Sequence, residues 1–63
     1  MNVQQHDAMR FYTVAELAKM FGVVPKTIHR WIAAGDLVAH RLNRGIRVSE
    51  SDLQTFILVR RQG

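Results

Sequence analysis

The sequence predicts a mainly α domain with a small β-hairpin, in the order helix, helix, hairpin, helix. Three observations carry that expectation. Helix-start and helix-stop signals alternate at short intervals between Tyr12 and Asp52, with few residues left over for loops. Apolar residues up to Ile32 recur at helical spacing, whereas Ile46 and Val48 alternate with Arg47 as in a strand. A chain of 63 residues has room for one small domain, near the lower limit for folding without staples.

Residues 1–9 show no period and are rich in Asn, Gln, His and Asp, so they are expected to form a flexible tail ahead of a domain over 10–63. Arg10-Phe11-Tyr12 reads as a short extended lead-in. Thr13-Val14-Ala15-Glu16 is a capping box: the Thr hydroxyl and the Glu carboxylate each satisfy a donor that the first helical turn leaves open. The first helix is expected from Val14 to Met20, with Val14, Leu17, Ala18 and Phe21 on one buried face and Glu16 and Lys19 on the other. Gly22 stops it, because glycine accepts the left-handed conformation of a helix end. Pro25 opens a second helix, expected to run to Ala34, at the position where its missing N–H is no loss. Ile28, Trp31 and Ile32 form its core stripe. Lys26, Arg30 and Ala33 cluster opposite, with Thr27 and His29 on the flanks. Gly35 ends this helix, and the small residues Ala33-Ala34-Gly35 suggest a close backbone approach.

Val38 to Leu42 and Ile46 to Val48 are two β-prone runs joined by Asn43-Arg44-Gly45, where Asn and Gly both tolerate positive φ. In the resulting two-stranded wing, Leu42, Ile46 and Val48 are expected on the packed side and Arg47 outside. Ser49 caps a third helix, with Glu50 and Asp52 complementing its dipole and Arg60 and Arg61 in its last turn. Leu53, Phe56, Ile57 and Arg60 share one side. Leu58 falls about 140° from Leu53 at 100° per residue and should face away from the core.

Two short helices so closely joined, the second carrying Lys26, Thr27 and Arg30, suggest a winged helix-turn-helix that lays its second helix against DNA. The charge has the matching place. Net charge is +4, and the stretch from Lys26 to Arg47, with five basic residues and the single acid Asp36, accounts for all of it. Charge alone fits a polyanion-binding face and a solvated basic surface equally. The helix-turn-helix context favours DNA contact for Lys26, Thr27 and Arg30. Arg30 reads a guanine edge or holds a phosphate, and both readings stand. Arg41, Asn43, Arg44 and Arg47 on the hairpin suit the neighbouring backbone or a minor groove. His29 is a flanking contact or plain surface. Trp31 belongs to the core stripe rather than to a base-stacking platform.

Other function classes find little support. There is no Cys, hence no disulfide framework and no thiolate zinc site. His6, His29 and His40 lie 23 and 11 residues apart with no partner at helical spacing, so no metal or other cofactor is expected. Clustered titratable groups and a phosphate-binding glycine loop are both lacking, so the chain is not expected to be an enzyme. The acids Asp7, Glu16, Asp36, Glu50 and Asp52 are better explained by caps and turns. No apolar run approaches the roughly 20 residues of a membrane span, and no membrane partner is expected.

The sequence resembles the excisionase-type branch of the MerR-like winged-helix DNA-binding domains. The residues that carry the resemblance are Tyr12 to Ala18, Gly22-Val23, Thr27 to Ile32, Gly35-Asp36-Leu37, the Arg-rich hairpin 41–47 and Val48 to Leu53, together spanning about three quarters of the chain. Val24 departs from the family pattern, which has a polar cap such as Ser before the second helix; Pro25 partly compensates. The resemblance implies a second helix in a major groove and a wing on adjacent backbone or minor groove. It also implies a phage or mobile-element factor in the bacterial cytoplasm, associated with the nucleoid. Such factors bind repeated sites side by side, bend DNA and direct an integrase toward excision. The residues by themselves stop at sequence-specific binding of double-stranded DNA by one domain.

A small MerR-like transcriptional regulator, activator or repressor, is the alternative. No effector domain and no long dimerisation helix are expected from these residues, which favours the excisionase over a ligand-sensing regulator and leaves a simple repressor open. A third class is a protein-interaction module whose basic face meets an acidic partner. Leu58, in the apolar run Phe56 to Val59, is a candidate for weak protomer–protomer contact on tandem DNA sites or for contact with the integrase.

Overall fold

A computed structural model describes residues 10–62, with side chains as far as residue 60. The elements are β1 (Phe11–Thr13), α1 (Val14–Phe21), α2 (Pro25–Ala33), β2 (His40–Leu42), β3 (Gly45–Ser49) and α3 (Glu50–Gln62). They form three helices and a small antiparallel sheet, the arrangement of a winged helix-turn-helix. The expected tail at residues 1–9, with His6 and Asp7, lies outside the described residues, as does the side chain of Arg61.

Local signals set the helix ends. The Thr13 hydroxyl accepts from the Glu16 N–H at 3.0 Å, and the Glu16 carboxylate accepts from the Thr13 N–H at 2.8 Å. That closes the capping box at the start of α1. Gly22 takes φ 69°, and the Val23 N–H reaches back to the Ala18 carbonyl at 2.9 Å, closing the end of α1. α2 ends the same way. Gly35 takes φ 85°, with the Asp36 N–H on the Trp31 carbonyl at 3.0 Å and the Gly35 N–H on that of Ile32 at 3.1 Å. A Cβ at Gly35 would meet nothing within 4 Å, so this glycine serves backbone conformation and not the close approach its small neighbours suggested.

The sheet departs from the expected two-stranded wing. β3 is its centre, paired with β2 on one side and with β1 on the other. The lead-in segment is thus a true edge strand, with Tyr12 opposite Val48. The hairpin is also tighter than its sequence suggested. Leu42 pairs with Gly45, leaving Asn43 and Arg44 as a two-residue turn. Positive φ falls on Gly45 alone, at 119°, and not on Asn43. Removing one residue from the turn inverts the face of β2 relative to β3. Leu42 therefore shares a face with Arg47 instead of Ile46 and is 41% exposed, where a packed position was expected. Val48 is buried as expected, while Ile46 is half-buried and outside the core.

The core is built from every layer: Leu17 and Ala18 of α1, Ile28 of α2, Val48 of β3, Leu53 and Phe56 of α3, and Leu37 from the loop after α2. Leu37 had no periodic signal, because it belongs to no helix or strand. Its N–H bonds the Trp31 carbonyl at 3.2 Å, so the closing turn of α2 aims it inward. Trp31 is half-buried against this core. Its ring meets Phe21 edge-on at 5.6 Å and Phe56 at 5.0 Å, and the Arg60 guanidinium lies 4.9 Å from both Trp31 and Phe56.

Candidate nucleic-acid interface

α2 is held by its buried edge. Ile28 is fully buried and Trp31 and Ile32 are packed against the core, which leaves the opposite face outward. Lys26, His29 and Arg30 are exposed there, and Thr27 is half-buried. The wing brings four more of the sequence-predicted residues together. Arg41, Asn43, Arg44 and Arg47, with Leu42, line one open hollow of about 470 Å³. Arg41, Asn43 and Arg44 are exposed and Arg47 is half-buried.

Arg47 is tied to its own wing. Its Nη1 donates to the Ile46 carbonyl at 3.0 Å and to the Arg44 carbonyl at 3.5 Å, so one edge of the guanidinium braces the turn. By contrast, Lys26, Arg30, Arg41 and Arg44 have no carboxylate partner. His40 lies 2.9 Å from the Asp52 carboxylate, a hydrogen bond that becomes an ion pair when the imidazole is protonated. Four cations on two projecting elements thus keep their charge uncompensated, the condition under which a surface attracts a polyanion.

Three carboxylates, those of Glu16, Glu50 and Asp52, are occupied elsewhere, in positions that fix the frame. Asp52 accepts from His40 and from the Ser49 hydroxyl at 2.8 Å, while the Asp52 N–H donates to Ser49 Oγ at 3.1 Å. Ser49 therefore caps α3 as expected. The same cluster ties β2 to α3, a link that was not legible because the two partners lie twelve residues apart. The His40 hydrogen bond, and then that of Ser49, holds the Asp52 carboxyl below its usual range. Glu16 is likewise lowered, chiefly by the Thr13 N–H. Glu50 accepts from the Tyr12 hydroxyl at 2.6 Å, which raises the Tyr12 pKa and locks β1 to the start of α3.

Among the described residues, no group of three or more His, Cys, Asp and Glu is placed to hold a metal ion, and no helix is long and apolar enough to cross a membrane. No curated protein and no solved structure matches the chain. The helix-turn-helix domain family does match, over residues 11–61, from the first strand almost to the end of α3. That family includes excisionase-like DNA-binding proteins, is typically non-enzymatic, and points to sequence-specific binding of double-stranded DNA. With every element of its fold inside the match or within one residue of it, the chain belongs to the helix-turn-helix domain family.

Proposed function

We propose that this protein is an excisionase, an architectural factor that binds repeated DNA sites and bends the DNA so that an integrase acts toward excision. DNA binding is carried by one observation: Lys26 and Arg30 on α2, and Arg41 and Arg44 on the wing, are exposed cations without carboxylate partners. In this reading Lys26, Thr27 and Arg30 enter the major groove, with His29 at the flank. Arg41, Asn43, Arg44 and Arg47 follow the adjacent backbone or minor groove. The recombination role rests on the resemblance of Tyr12 to Ile57 to the excisionase branch, within a family that includes such proteins.

Leu58 is the proposed contact between protomers on adjacent sites. It is 56% exposed on α3, on the side away from the core, with exposed Val59 beside it. Footprinting on duplexes with one and with two candidate attachment-site repeats tests the reading, together with a reconstituted excision assay. The wild-type protein should protect both repeats cooperatively and promote excision. Leu58→Glu should keep its fold and single-site affinity but lose cooperativity. Protection without any effect on excision would favour the small transcriptional regulator instead. No protection at any site would remove the DNA-binding reading.

A further inference from the structure

Val24 breaks a local rule that the fold does not require it to break. It is the N-cap of α2, with extended backbone at φ −80° and ψ 155°, and its side chain makes no capping hydrogen bond. Ser, Thr, Asp and Asn are strongly preferred at this position, and Val is among the poorest choices. Packing does not account for the exception. Val24 is 61% exposed and stands outside the core, whereas its neighbour Val23 packs against it. The backbone tolerates the missing cap. Pro25 has no N–H to satisfy, and the Thr27 N–H bonds the Val24 carbonyl at 2.9 Å. A single exposed valine is ordinary. This one stands at the N-terminal end of the second helix of a helix-turn-helix, beside exposed Pro25 and unpartnered Lys26. That end of such a helix is the part that meets base edges. An apolar side chain there has one distinctive partner in the major groove, the C5-methyl group of thymine.

We propose that Val24 is a specificity residue that reads a thymine methyl group in the major groove, an inference that rests on the DNA-binding reading above. The chain gives up a helix cap and places two methyl groups where they exclude water from a third. A local preference broken without structural gain is expected at a functional position.

The test works on a target sequence that selection itself supplies. Duplexes are selected by the wild-type protein from a randomised double-stranded pool. In the best selected duplex each thymidine is then replaced in turn by deoxyuridine, which removes only the methyl. At one position the replacement should weaken wild-type binding about fourfold, the weight of one buried methyl group. Val24→Ser should bind both versions of that duplex alike, while its thermal midpoint holds or rises because Ser is a favoured cap. Val24→Ala, which also lacks the two methyl groups, should give the same ratio near one. The inference is overturned if no replacement weakens wild-type binding, or if the effect persists unchanged in both variants. Failure to enrich any duplex would instead overturn the DNA-binding reading itself, and this inference with it.

Discussion

Arg30 lies on the outer face of α2 and Arg44 in the turn of the wing, both exposed and both without a carboxylate partner. Their alanine variants should therefore weaken DNA binding while leaving the thermal midpoint in place. If Arg30 reads a base, its loss costs ~1–3 kcal/mol of discrimination at one position. Loss of Arg44 should lower affinity nearly equally for all sequences. A collapsed midpoint, or full affinity in either variant, would contradict these placements. Trp31 belongs to the other category. Packed among Phe21, Phe56 and Arg60, it should cost on the order of 3 kcal/mol when cut to alanine, read by urea unfolding. A stable Trp31→Ala protein with a selective DNA defect would place the ring at the interface. Asp52 contributes to the acid limb of stability. Its pKa is held down by His40 first and Ser49 second. The stability it contributes is complete above its ordinary value of 3.8 and is lost as pH falls through the lower folded value. Asp52→Asn should thus flatten the decline in thermal midpoint at acid pH, and an unchanged decline would reject the link.

The elements differ in how plainly the sequence announces them. α1, α2 and α3 are legible because the three starts and the first two stops have their own chemistry in adjacent residues: Thr13 with Glu16, Gly22, Pro25, Gly35, and Ser49 with Asp52. The sheet is harder to read. Its register depends on one residue more or less in the turn, and Asn43-Arg44-Gly45 fits either count until the strands pair. Periodicity misplaces Leu42 for that reason, and it misses the third strand because Tyr12 and Val48 meet across the whole helix-turn-helix. This register leaves Leu42 outside the core. Leu42→Thr should change stability by less than about 0.5 kcal/mol, as at other exposed sites. Leu53→Ala in the core should cost ~2–5 kcal/mol. A large loss at Leu42 would restore the packing that the longer turn implied.

At the scale of the whole molecule, the charge is partitioned. The carboxylates of Glu16, Glu50 and Asp52 are drawn into caps and into the ties between β1, β2 and α3, while Lys26, Arg30, Arg41 and Arg44 on α2 and the wing have no carboxylate partner. The exposed cations on α2 and the wing are legible because charge position can be read directly from sequence. Two features are not. The bracing of the turn by Arg47 needs the fold to bring its guanidinium onto backbone carbonyls, and the exposure of Val24 needs the fold to show what does not cover it. The central claim, that this partition makes a surface for double-stranded DNA, is tested most directly by duplex affinity measured across a series of salt concentrations. If about four cations reach phosphates, log K should fall against log salt with a slope of about −3.6, from roughly −0.9 per phosphate neutralised. An affinity that does not change with salt would contradict it.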